Sequence, residues 1–437
     1  MRTSSLPLLC CLAWSGMLVG CGSEAGDNTA SSPLPVRFGA ISLVLDGAFA
    51  PYLAERTAVA PDTVGGFPAD VLCVSQVMRQ EDKQAIAQAA ALEFPFSGWV
   101  PTDLDSQPDD PRTQDGSVPA LPTTPPCGTA DLSTKADAVL DCIKAQCSTV
   151  PGSEEGRMSE GSCAVQKCTG SFSQLLFGNS DSKRCFSCLL YTGMSERIKD
   201  IRSACENDAR AGFTFQGGNG LLILSRFPLS DVRAWVLPST SWREILLSAT
   251  LSPPGVSPVD VHCLTLQGPH SSATQPYTGV YANGATGDDA WFAESKLQAQ
   301  RVVEHLSAQS GARPTVIWGD YYVGPDVTGE DGPPLTGVVP EAFSILAGAF
   351  REAVSQGYAP VCTTCGENPI NGGRADLPGA WTAHVQTLNV PTDAVASTSR
   401  FGEDLIAHGD KPDTSPAQTI AIPVSPRYGL VSTIVLH

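Results

Sequence analysis

Thiols, carboxylates and imidazoles are the side chains here with chemistry to offer, and the thiols are the most telling. Of 15 cysteines, three lie within the first 21 residues and twelve beyond them. Eight of the twelve crowd into one stretch: Cys127, Cys142, Cys147, Cys163, Cys168, Cys185, Cys188 and Cys205. Cys362 and Cys365 form a Cys-Thr-Thr-Cys pair, while Cys73 and Cys263 stand singly inside apolar, strand-like runs. A dense, even set of cysteines reads as a disulfide framework in an oxidising compartment. Zinc is the alternative, since Cys185-Phe-Ser-Cys188 has ligand spacing, but no histidine lies in that segment. Eight cysteines permit on the order of 100 pairings, so the connectivity stays open.

Arg2 gives a positive start, an apolar run from Leu6 to Val19 follows, and the run closes with Leu18-Val19-Gly20-Cys21. This pattern is that of an export signal ending in a lipobox, in which Cys21 is acylated and becomes the new N-terminus. A plain signal peptide cleaved near Gly20 is the alternative. Residues 22–35 are Ser-, Ala- and Gly-rich, acidic and without pattern, as a flexible tether between a lipid and a folded domain requires. No later stretch is long and apolar enough to span a bilayer. The expectation is therefore an exported chain, lipid-anchored in the bacterial cell envelope, with the membrane at Cys21 as its one nameable partner.

A net charge of −18 leaves no basic footprint of the kind a nonspecific nucleic-acid binder needs to displace counterions. With 42% apolar residues the chain can bury a large core, and its length fits one large domain carrying an insertion.

The elements that would position reactive groups fall into three regions. Residues 36–100 hold apolar runs at Val36–Leu45 and Asp70–Val74, fit for buried strands, and an Ala- and Gln-rich helix over Glu81–Leu92. Residues 101–210 open with a Pro-, Asp- and Thr-rich loop to Pro126. About three short helices stapled by disulfides follow over Asp131–Cys205, too polar and small to hold much core of their own. From 211 to 437 strands return at Leu221–Ser225, Trp242–Leu251, Val259–Leu266, Thr315–Trp318 and Tyr428–Leu436. Helices fall at Asp288–Gln309 and Pro340–Val354. That order suggests two packed sheets with helices outside.

Four segments, in order, resemble the signature stretches of the endonuclease/exonuclease/phosphatase superfamily. They are Asp70-Val-Leu-Cys-Val-Ser-Gln-Val77, Gly218-Asn-Gly-Leu-Leu-Ile-Leu-Ser-Arg-Phe-Pro-Leu229, Val316-Ile-Trp-Gly-Asp-Tyr-Tyr322 and Ser425-Pro-Arg-Tyr-Gly-Leu430. Cys365-Gly-Glu-Asn-Pro369 and Gln300 are similar to weaker family features. The resemblance covers 36–100 and 211–437 and implies an α+β fold: a four-layer α/β/β/α sandwich, DNase I-like, with the disulfide-rich, mainly helical segment inserted.

It also implies an activity, hydrolysis of phosphate esters, and a set of positions to check for it. A Glu would hold Mg²⁺, an Asn and an Asp would orient water, and a His–Asp pair would handle the proton. At the matching positions the chain has Gln76 for the metal-holding Glu, Ser42 for the first Asn, Thr265 for the His, Tyr322 for the second Asn, and Pro426-Arg427 for the closing Asp-His. Asp320 alone is well matched, and Glu403 sits loosely at a further acidic position beside Asp404. An amide lacks the charge Mg²⁺ prefers, proline has no charge, and arginine is no base. His262 lies an odd offset from Thr265 and so points to the other face of its strand. His270 lies past the strand in a turn and is not expected to reach in. Arg427 and Arg243 would favour anions unless a partner such as Glu403 neutralised them.

The resulting expectation is an envelope lipoprotein with a catalytically inactive sandwich in a binding or structural role, needing no cofactor. The alternative is a hydrolase with a rearranged site, using Mg²⁺ or Ca²⁺ held by Asp320 with Glu403, Asp404 or Asp46. A third reading makes the Cys-rich segment the working part. A protein or phosphate-bearing ligand is not named by the sequence.

Overall fold

The computed structural model describes residues 32–45, 50–100, 124–147, 167–195, 198–272, 275–309, 311–328, 334–371, 373, 378–410 and 419–437. The strands are β1 (Leu34–Ser42), β2 (Val71–Ser75), β3 (Phe96–Gly98), β4 (Leu222–Ser225), β5 (Leu229–Val236), β6 (Ile245–Leu251), β7 (Val259–Leu264), β8 (Thr315–Asp320), β9 (Arg351–Glu352), β10 (Ala383–Leu388), β11 (Val395–Phe401), β12 (Ala407–Asp410), β13 (Thr419–Ile422) and β14 (Gly429–Leu436). The helices are α1 (Leu53–Val64), α2 (Gln80–Ala89), α3 (Ala130–Cys147), α4 (Thr169–Leu176), α5 (Ser180–Ser195), α6 (Ile198–Asn207), α7 (Asp288–Gln309) and α8 (Pro340–Ala349).

Two six-stranded sheets form, in the orders β11-β14-β1-β2-β4-β3 and β5-β6-β7-β8-β10-β9, with β12-β13 a separate hairpin. Each sheet carries one parallel pair, β1 with β2 and β7 with β8, and each pair is joined through a helix, α1 or α7. Parallel neighbours need such a crossover. The inward faces pack Phe38, Val71, Ile223, Leu247, Val316, Trp318 and Val385 into one core, and the Trp318 indole N–H donates to Gly39 O at 2.8 Å. Ile41, Leu72, Val74 and Leu224 bury the outer face of the first sheet against α1 and α2. Leu246, Leu264 and Ile317 do the same under α7 and α8. The order is thus helix, sheet, sheet, helix, the four-layer α+β sandwich that the sequence motifs imply. Close approach fixes Gly319: a Cβ there would lie 1.9 Å from Leu264 O, so β7 and β8 can meet only over a glycine.

Two motifs meet away from the reactive end. Asp70 accepts from Arg37 at 2.7 Å and lies 3.6 Å from Arg226 of the Ser-Arg-Phe-Pro stretch. Burial pushes its carboxyl up, but the Arg37 hydrogen bonds and charge outweigh that and hold it below the usual range.

Several expectations need correction. Cys73 and Cys263 are not single: they are bonded to each other across the sheet interface, with Cα atoms 5.4 Å apart and a sequence separation of 190. The helix expected over Pro340–Val354 stops at Ala349, because Phe350 turns to extended backbone and the chain pairs as β9. The expected strands do not include β3, β5, β10, β11, β12 or β13. β5 and β11 are edge strands whose polar residues face outward, so they lack the apolar runs of the central strands.

The insertion holds four helices among its described residues rather than about three, and it has a real core. Val139, Leu140, Ile143, Phe172, Leu175, Leu189 and Ile201 pack together, joined by Met78 and Trp242 from the sandwich. Its described disulfides are Cys127–Cys185, Cys142–Cys168 and Cys188–Cys205. Cys185 and Cys188 take different partners, as a framework requires. Cys362 pairs with Cys365. The signal region with Cys21, most of the tether, Cys163, the side chain of Cys147 and Asp46 lie outside the described residues.

Candidate functional site

The carboxyl ends of both parallel pairs point to one edge of the sandwich, where open α/β sheets place their ligands. Past β2 the chain turns sharply at Gln76, whose φ is 54°. Val77 N donates to Gly220 O at 3.1 Å. Past β1, the loop over Leu43 and Val44 is held by the buried Arg56 guanidinium, which donates to their carbonyls at 2.7 and 3.0 Å. Past β8, Tyr322 adopts a φ of 59°. Arg427 arrives just ahead of β14, its backbone N–H donating to Ser425 Oγ at 2.9 Å. Together these turns enclose a cleft of about 470 Å³.

On one side of the cleft Arg427 is tied down. Its Nη1 lies 3.3 and 3.2 Å from the two oxygens of Asp320 and donates to Thr364 Oγ1 at 3.0 Å and Thr382 Oγ1 at 3.2 Å. Its guanidinium stacks over the Tyr322 ring, 3.6 Å from the centroid, and the Tyr322 hydroxyl lies 3.3 Å from Ser42 Oγ. Asp320 is 1% exposed and also accepts from Tyr322 N at 3.3 Å. The well-matched carboxylate is therefore occupied by a fixed cation. A divalent ion here would meet an amide at Gln76, a carboxylate already ion-paired, and the positive charge of Arg427. That donor set does not fit Mg²⁺ or Ca²⁺, which take oxygen ligands with carboxylate charge.

The other predicted residues are dispersed. Glu403 accepts from Arg400 Nε at 2.5 Å, and Arg400 also pairs with Glu367 at 3.1 Å. Neither Glu403 nor Asp404 lines the cleft, so the neutraliser of Arg427 is Asp320, not Glu403. Arg243 packs over the Phe213 ring at 4.8 Å and does not line the cleft either. Thr265 is buried and does not line the cleft. His262 does face elsewhere: its Nδ1 hydrogen-bonds Ser248 Oγ at 2.8 Å, and burial pushes its imidazole down to about 3. Asn368 and Asn371 brace the Arg427 turn, donating to Ser425 O at 3.0 Å and Pro426 O at 2.8 Å. The inward glutamine of α7 is Gln298 rather than the exposed Gln300; its Oε1 accepts from Gln267 N at 2.6 Å.

The opposite wall was largely missed. His270 does reach the cleft, because the chain leaving β7 folds back so that its ring stacks on Trp242 at 5.1 Å and meets Trp291 edge-on at 4.9 Å. Burial pushes it down to about 4, so it is neutral at neutral pH. Glu244 also lines the cleft. Burial, with the Glu294 charge behind it, pushes its carboxyl up to about 8. Glu294 is itself raised to about 7 by burial, although Thr240 N donates to it at 2.9 Å and Tyr277 OH at 2.8 Å. An acid at the mouth of an apolar strand, Trp242-Arg243-Glu244, was the signal available in the sequence. Gln267 and Gln275 complete this wall.

No protein-family model matches the chain, and no curated protein matches it. Among solved structures it aligns with a sphingomyelinase C from Streptomyces griseocarneus at 12% identity and a TM-score of 0.48, over 92% of this chain and 99% of that one. A beta toxin from Staphylococcus aureus, described with bound magnesium ions, aligns at 8% identity and a TM-score of 0.49, over 91% and 99%. An endonuclease/exonuclease/phosphatase from Beutenbergia cavernae aligns at 14% identity and a TM-score of 0.41, over 92% and 72%.

Proposed function

We propose that this chain is an exported, lipid-anchored envelope protein whose DNase I-like sandwich binds a ligand at its cleft and does not hydrolyse phosphate esters. The observation that carries this is the Arg427–Asp320 pair. Hydrolysis by the family's route needs a charged metal seat and a proton-transferring imidazole. Here the charge of the remaining carboxylate is cancelled by a residue that cannot give up its proton. A site rearranged around Asp320 would first have to break that pair. The disulfides support an oxidising compartment, and Leu18-Val19-Gly20-Cys21 supports acylation.

The test is incubation with bis-p-nitrophenyl phosphate, plasmid DNA and sphingomyelin, each with Mg²⁺, Mn²⁺ or Ca²⁺. The expected result is no turnover above that of an Asp320→Ala variant. Turnover that this substitution abolishes would overturn the reading. For the anchor, labelled palmitate should enter the wild-type chain in cells and not a Cys21→Ser variant.

A further inference from the structure

The cleft keeps a set of side chains for which its scaffold has no use. Gln267 and Gln275 are 1% and 7% exposed, and Gln76 stands in the cleft with them. The side-chain oxygen of each of the three is buried and accepts no hydrogen bond among the described residues. The Gln267 carboxamide is fixed in that orientation, since its Nε2 donates to Gly268 O at 3.1 Å. Buried carbonyls are nearly always satisfied in native proteins. Three unsatisfied ones around one cavity form an array of acceptors awaiting donors.

Charge narrows what the donors belong to. Arg427 is matched by Asp320. With Glu244 raised to about 8 and His270 lowered to about 4, both are mostly uncharged at pH 7. A phosphate would find no net cation in the cleft, and a metal ion no carboxylate charge. Trp242, Leu266, Pro269 and Val338 supply apolar wall between the polar groups. The volume falls in the range of small-molecule sites, roughly 300–1,000 Å³. Neutral hydroxyls on a carbon frame meet all of these conditions.

We propose that the cleft binds a saccharide, whose hydroxyls donate to Gln76, Gln267 and Gln275 while its carbon face packs on the Pro269 and Val338 wall. This rests on the reading that the cleft binds without hydrolysing. The test uses the mature chain beginning at Gly22, which carries neither the apolar run nor the lipid-bearing cysteine. Saturation-transfer NMR and calorimetry are run with maltotriose, cellotriose and chitotriose, and in a second arm with phosphatidylcholine vesicles bearing galactosylceramide. The first arm detects a free sugar and the second a lipid-borne one.

Saturable binding in either arm is expected, weakened about tenfold by Gln267→Met and by Gln275→Met, the equivalent of one lost hydrogen bond. Near-UV circular dichroism checks that each variant folds, and either one that folds decides the matter. The proposal is overturned if no saccharide binds saturably, or if binding is unchanged in the folded variants. Phosphate-ester turnover is scored separately. An inactive protein that ignores sugars sinks this inference alone, whereas an active one sinks the reading beneath it.

Discussion

Between its sheets the sandwich buries Phe38, Val71, Leu247, Val316 and Trp318 around one long-range described disulfide, Cys73–Cys263, with a second, Cys362–Cys365, closing only a tight local loop. The insertion packs a smaller core of Val139, Ile143, Phe172 and Leu189 around three, Cys127–Cys185, Cys142–Cys168 and Cys188–Cys205. The difference follows from size. A small unit buries a lower fraction of its surface, so constraint of its unfolded chain has to supply what burial does not. The two regions are not sealed off, because Trp242 packs in the insertion's core and also lines the cleft.

That contrast can be broken in order of expected effect. Trp318→Ala empties the centre of the sandwich and orphans the Gly39 carbonyl. It should cost about 5 kcal/mol and bring down the whole sheet signal in urea titration; a loss below about 2 kcal/mol would mean the core is not what carries the sandwich. Cys127→Ser with Cys185→Ser removes a crosslink spanning 58 residues and should cost the insertion about 4 kcal/mol. Limited proteolysis should then cut within residues 124–207 while the sheet circular dichroism persists. If the sheets melt at the same denaturant concentration, the two regions are one cooperative unit and the contrast fails.

At the cleft, Arg427→Met leaves the buried Asp320 carboxylate uncompensated and should cost about 3 kcal/mol at pH 7, most of it returned by adding Asp320→Asn. An unchanged melting temperature in the single variant would show the pair is not held. The last variant, Glu244→Gln at the cleft, is read by pH rather than by size. The carboxyl is raised from 4.5 to about 8 in the fold. Its contribution to stability is therefore fully present below pH 4.5 and is lost as pH rises through 8. The variant should melt with wild type near pH 4.5 and above it near pH 8. Parallel melting curves across that range would contradict the assigned burial.

The central strands and α7 were legible because their apolar runs or helical spacing have a single cause, burial on both faces or on one stripe. β11 was not, since Val395-Ala-Ser-Thr-Ser-Arg-Phe401 shows an edge strand's mixed surface. The site was half legible. Gln76, Tyr322, Arg427 and Asp320 were found by motif, yet the pairing of Arg427 with Asp320 joins residues 107 apart, and no local spacing encodes it. Cys73 and Cys263 posed the same problem at a separation of 190. His270 and Gln275 lie beyond β7, in a segment that curls back under Trp242 and Trp291. Only the tertiary path shows that they reach the cleft.

β1 joins the two ends of the sandwich. It runs nine residues from Leu34, which pairs with Leu436 near the other chain end, to Ser42, which touches Tyr322 at the cleft. At about 3.3 Å per residue that is a span of roughly 30 Å. An anchor ahead of Leu34, as proposed, would attach at the end of β1 opposite the cleft.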